Sequence, residues 1–174
     1  MVLLVAAALL AVERIAYVWA WRRPESFLEF CAYPAVASLG EPVVVLEKLF
    51  YCFKAVQFTV FTGWCYFYGN GSLSPAGNIL ALALGGGSIV TGQILNFSVF
   101  YRLGSIGVFY GNRFGYEVPW HSEFPFSLLK HPQYVGTLLS IWGFFLAMRF
   151  PHYDWFALPA LETVYYVLGA YFEQ

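Results

Sequence analysis

Apolar residues fall into five long stretches, separated by polar, charged or glycine-rich links. The first stretch, 2–21, is broken near its middle by the adjacent charges Glu13 and Arg14. Neighbours in sequence do not face each other on a helix, and charges at mid-span are costly in hydrocarbon. This helix therefore either shelters both charges against other helices or lies partly in an interface. Trp19 and Trp21 followed by Arg22, Arg23 and Pro24 have the pattern of an aromatic belt and a helix stop. The following link to Pro42 carries Glu25, Glu29 and Glu41 and reads as a surface segment, amphipathic at best. The second stretch, 43–68, is long enough to span a bilayer, with Lys54 placed to snorkel. A turn-rich link, 69–77, has no charge. The third stretch, 78–100, contains Gly85, Gly86, Gly87 and Gly92, then Gln93 and Asn96. Small residues of this kind permit close helix packing, and buried amides need partners. The fourth and fifth stretches, 134–150 and 155–172, are near the lower length limit for a span.

The pattern predicts an all-α, polytopic membrane bundle of four to five segments, with residues 1–174 forming one domain. Composition agrees: 60% of the chain is hydrophobic, 21% aromatic and 11% charged, and mean hydropathy is +0.62. Soluble domains carry about a quarter charged residues. The formal net charge of −1 argues against nucleic acid and against a polybasic membrane patch. Cys31, Cys52 and Cys65 show neither a disulfide framework nor a zinc spacing and read as small hydrophobes; no metal is expected. Residues 1–12 resemble the apolar core of a signal peptide. They lack a preceding basic residue, and hydrophobicity resumes through Trp21, which favours a retained segment.

Between the third and fourth stretches, residues 101–136 form the longest polar interruption. They hold two of the three histidines and three of the nine basic residues. The links after the first and third stretches carry Lys or Arg, whereas the link after the second carries none. With five spans, the positive-inside rule puts Arg113, His131 and Glu173 together at the cytosolic face. With four, Glu173 would lie opposite the His131 link.

The wording of this region goes further. G-Q-I-L-N-F (92–97), L-G-S-I-G-V-F-Y-G-N-R-F-G (103–115), P-W-H-S-E-F-P-F (119–126) and H-P-Q-Y-V-G (131–136) closely resemble the phospholipid N-methyltransferases. The nearest likeness is to the plant and algal phosphatidyl-N-methylethanolamine enzymes. The resemblance implies methylation of a phospholipid head-group amine by S-adenosylmethionine, in the endoplasmic reticulum membrane or, alternatively, a mitochondrial one. The partner implied is the membrane lipid substrate; no partner protein is evident. It also implies cofactor contacts at a G-x-G, which maps to Val90, Thr91 and Gly92, and at an acidic pair, which maps to Glu173 and Gln174. Here the first glycine is a valine and the second acid an amide. The chain also stops where the family's pattern continues into a short charged tail, consistent with an incomplete C-terminus.

Methyl transfer to an amine is an in-line displacement, so the protein must align the reactants and keep the amine unprotonated. His121 and Glu123 are the candidate bases. Gly104, Gly107 and Gly111 would let backbone approach the cofactor or allow tight turns, with His131, Tyr134 and Gly136 beside it. Arg113, Trp120 and Lys130 are candidates for the lipid head group. Aromatic faces along the link suit soft cations. Two other readings share parts of this pattern: a carboxyl methyltransferase of prenylated cysteine, which shares H-P-x-Y-x-G, and a lipid-binding scaffold without catalysis.

Overall fold

A computed structural model describes residues 1–75, 77–119 and 121–173. Trp120 and Gln174, both expected at the site, lie outside the described residues. Among the described residues all regular structure is helical: α1 (Val2–Arg22), α2 (Pro24–Ala32), α3 (Pro34–Ala37), α4 (Pro42–Tyr68), α5 (Ile79–Val108), α6 (Pro132–Arg149) and α7 (Ala157–Phe172). Each of α2, α3, α4 and α6 begins with proline, which lacks the N–H that a first helical residue would leave unpaired. Asn78 caps α5 by accepting from the Leu80 and Ala81 amides at 3.0 and 3.1 Å.

The five long helices coincide with the five apolar stretches, with one extension. Helix continues beyond Phe100 to Val108, interrupted at Gly104, where φ 61° and ψ −179° break the helical geometry. Only glycine takes that conformation without strain. The stretch expected at the surface forms α2 and α3, and α2 packs Phe27 and Cys31 into the core. Cys65 is buried as well, but Cys52 is exposed.

Helices α5 and α6 run antiparallel in the closest contact of the fold. Gly85 sits against Gly143 and, two turns on, Gly92 sits against Gly136. A Cβ on Gly85 would lie 2.6 Å from the Gly143 carbonyl, so this seam excludes any side chain. Helix α1 packs on α4 and α7. At one end of the bundle the α1 and α7 C-termini, the α4 N-terminus and the α5–α6 link converge: Arg22 donates to the Phe172 carbonyl, and Tyr116 to Glu41. At the other end Arg149 pairs with Asp154 at 2.8 Å, and Trp64 donates to Asp154 at 3.1 Å.

Two helical stretches, Val2–Arg22 and Ile79–Arg113, are long and apolar enough to cross a membrane. Leu4, Ile15, Phe58, Phe67 and Phe97 project outward from α1, α4 and α5, each more than 60% exposed. An exterior this apolar suits lipid rather than water.

Candidate active site

Helices α1, α4, α5, α6 and α7 enclose a cavity of about 700 Å³, within the range of roughly 300–1,000 Å³ typical of small-molecule sites. Half of its lining residues are aromatic, including Tyr17, Phe50, Phe100, Phe109, Tyr110 and Tyr134. Because α5 is committed to α6 and α4 to α1, α4 and α5 scarcely touch. Tyr51 and Phe58 of α4 and Phe97 of α5 line the cavity and are nevertheless 58%, 66% and 69% exposed. The cavity therefore opens sideways, between α4 and α5, onto the apolar flank.

Its floor is charged. Glu13 and Arg14 are both buried and paired with each other, and Glu13 accepts from Lys54 at 2.9 Å. Lys54 therefore does not snorkel: a carboxylate inside the bundle offers it more than the distant interface. Its ammonium also reaches Gln57 at 3.0 Å, and Gln57 donates to Glu162 at 2.7 Å. The Arg14 guanidinium lies 4.0 Å over the Tyr166 ring and donates to its hydroxyl at 3.3 Å. Arg14 Nε, the Tyr17 hydroxyl and Asn96 Oδ1 are buried with no hydrogen-bond partner among the described residues, and all three side chains line the cavity. Gln93, the other amide of α5, donates to Ser140 at 2.9 Å across the α5–α6 seam.

The end of the cavity nearest the link is built around Glu173. Tyr110 donates to one carboxylate oxygen at 2.8 Å and Tyr134 to the other. Tyr110 reaches it because the residue adopts a left-handed conformation (φ 58°, ψ 31°) that turns the chain out of α5 into a single 3-10 turn, Gly111–Arg113. Tyr134 sits in the first turn of α6, and the His131 ring stacks on it at 5.9 Å. Arg113 donates to the Trp21 carbonyl at 2.8 and 3.0 Å and lies over its indole at 4.8 Å, which ties the link to α1. The bond to Glu41 raises the Tyr116 phenol above its ordinary pKa.

The residues expected from sequence divide. Tyr134 lines the cavity, with Glu173 held behind it and His131 stacked beside it. Gly92 and Gly136 meet each other in the helix seam. Val90 is exposed, and the Thr91 hydroxyl bonds its own helix at Gly87, 2.9 Å away. Gly104 makes the break in α5, and Gly107 abuts Leu103 and Val118. Glu123 is exposed and paired with Arg102 at 2.6 Å, and Lys130 is exposed. His121 has a buried, unpartnered Nε2, but neither it nor Glu123 lines the cavity. Sequence reasoning did not place Glu13, Arg14, Lys54 or Tyr17 in the site. The signal was present in the charged pair interrupting an apolar run.

The sequence matches the family described as phospholipid methyltransferase over residues 80–174, which spans α5 to the last residue. The chain belongs to this family. It is accordingly an enzyme of the transferase class. It is 32% identical over 125 residues to the phosphatidyl-N-methylethanolamine N-methyltransferase of Arabidopsis thaliana, a match covering 72% of this chain and 67% of that protein. No solved structure matches. The matched region supplies Tyr110, Tyr134, Glu173 and the glycine seam, whereas Glu13, Arg14 and Lys54 lie before its start.

Proposed function

We propose that this methyltransferase converts phosphatidyl-N-methylethanolamine and phosphatidyl-N,N-dimethylethanolamine to phosphatidylcholine, using S-adenosylmethionine, as a multi-pass protein of the endoplasmic reticulum membrane. The single observation that carries the reading is a cavity that ends on a fixed carboxylate and opens at its side onto an apolar flank. One end closes on Glu173 through Tyr110 and Tyr134, at the end of the bundle where the links carry Arg and Lys. The side between α4 and α5 opens onto the lipid-compatible flank. A water-soluble donor held at the Glu173 end and a bilayer-held acceptor entering between α4 and α5 would meet in one space. The printed name of the Arabidopsis relative agrees with this acceptor.

The residues fit the donor. A carboxylate offers about four lone-pair positions, and two phenols leave Glu173 capacity for an ammonium or ribose hydroxyls. Tyr110, Tyr134 and Phe109 present aromatic faces suited to a sulfonium. When bound, S-adenosylmethionine supplies an electrophilic methyl group and leaves as the neutral thioether S-adenosylhomocysteine. The chain's own task is alignment and dehydration. An amine brought into the cavity from the α4–α5 side meets low dielectric and the cations Arg14 and Lys54, both of which disfavour its ammonium form. Its proton passes to water as the amine enters, before attack, and the methylated product regains a positive charge that the same cations repel.

The test is product analysis. Purified protein in lipid vesicles receives methyl-labelled S-adenosylmethionine and one of three acceptors: phosphatidylethanolamine or its monomethyl or dimethyl derivative. Label should appear in phosphatidylcholine from the monomethyl and dimethyl lipids. Label on none of the three, or on prenylcysteine esters in whole membranes, overturns the proposal.

A further inference from the structure

We propose that Arg14 and Lys54 form an oxyanion site in the cavity floor, which deepens the functional reading above and rests on it. The ligand chemistry is a single oxyanion, borne by the phosphodiester of the lipid acceptor or by the carboxylate of the methyl donor.

Three observations converge. First, the charged side chains that line the cavity are two cations and one acid: Arg14 and Lys54 share the carboxylate of Glu13. Glu162 and Glu173 lie behind the lining, where Gln57 donates to the first and Tyr110 and Tyr134 to the second. Second, donors are left over. Arg14 is 8% exposed and Tyr17 7%, yet Arg14 Nε and the Tyr17 hydroxyl have no partner among the described residues. A buried donor without an acceptor is destabilising, and a charged pair within a membrane-spanning helix marks a functional site by default. Third, the other cations expected to meet the head group are committed elsewhere: Arg113 to Trp21, and Lys130 on the exposed surface. Among the described residues, the cations lining the cavity are Arg14 and Lys54.

The position suits a reactant that spans the cavity. Arg14 lies about 12 Å along α1 from its C-terminal end, by the rise of a helix. Its guanidinium is 6.0 Å from the Tyr134 ring, which joins it to the Glu173 end. An oxyanion here accepts from a planar guanidinium and an ammonium together, and charge assistance makes such bonds strong.

The experiment compares two acceptors in detergent micelles. One is phosphatidyl-N-methylethanolamine; the other is an analogue without the anion, an N-methylaminoethyl ether of diacylglycerol that lacks the phosphodiester. The variants are Lys54→Gln, whose side chain is already 27% exposed, and Arg14→Lys, which keeps a cation beside Glu13 should the first fail to fold. If the site holds the phosphodiester, the wild-type preference in kcat/KM for the phosphodiester acceptor falls about tenfold in the variants, as for loss of a charge-assisted bond. Binding of S-adenosylhomocysteine then stays unchanged. If the site holds the donor carboxylate, S-adenosylhomocysteine binding weakens about tenfold, while its decarboxylated analogue binds wild type and variant alike and the acceptor preference is kept. Folded variants that change neither quantity overturn the inference. Wild-type protein that methylates neither acceptor overturns the proposed reaction instead. The oxyanion site is then read from binding of phosphatidylmethanol against diacylglycerol, and equal loss-free binding to wild type and Lys54→Gln rejects it.

Discussion

Glu173 is the residue on which the link, α6 and α7 meet. Two phenols fix its carboxylate, so its position depends on Tyr110 and Tyr134 as much as on α7. Replacing it by glutamine keeps the shape and removes the charge. S-adenosylhomocysteine should then bind about tenfold more weakly, the scale of one charge-assisted hydrogen bond; an unchanged dissociation constant in a calorimetric titration removes Glu173 from the donor site. Tyr134→Phe should weaken binding by less, and the Tyr134→Phe/Glu173→Gln double variant should lose less than the sum, because the two side chains act as a unit. At this scale the sequence was partly legible. Glu173 stands out through the family's acidic pair. Glu13 and Arg14 stand out as charges in an apolar run, but their partners Lys54 and Tyr166 come from α4 and α7, and no local pattern joins residues so far apart in sequence.

Among the elements, the α5–α6 seam decides what the glycines do. Gly85 and Gly92 face α6, whereas a Cβ on Gly86 or Gly87 would meet nothing within 4 Å. Gly85→Ala should therefore destabilise the protein by about 1–3 kcal/mol through overpacking, seen as a lower melting temperature in detergent. Gly86→Ala should leave stability unchanged or raise it by up to about 1 kcal/mol, since alanine is the better helix former. Equal effects at the two positions would contradict the seam. Hydrophobic runs located four of the five long helices, and the start of α5, to within a few residues because each run was bounded by proline, glycine or charge. The extension of α5 to Val108 was hidden by Arg102 and Gly104, which read as a helix end but mark a break within a longer helix. The glycine run was legible as small residues. Which of them touch another helix depends on the facing of α5, and that is fixed only by α6.

For the whole molecule, the buried Arg149–Asp154 pair and the proposed reaction site sit at opposite ends. Arg149 and Asp154 are both buried, bonded twice, and supported by Trp64, far from Glu173. Asp154→Asn leaves a buried guanidinium without its counter-charge and should cost about 3–5 kcal/mol, read as a fall in melting temperature, while kcat per folded molecule holds. A proportional loss of kcat would mean that the two ends are coupled. The cavity could not be read from sequence because five helices each give it only a few residues, and its openness follows from which pairs pack and which part. The measurement that bears most directly on the account is photo-crosslinking with an azido derivative of S-adenosylmethionine, mapped by peptide mass spectrometry. Adducts are expected on peptides carrying Tyr110, Tyr134 or Glu173 and should be competed away by S-adenosylhomocysteine. Competable adducts confined to the exposed link around Glu123 and Lys130, or to the Arg149–Asp154 end, would contradict a reaction inside this cavity.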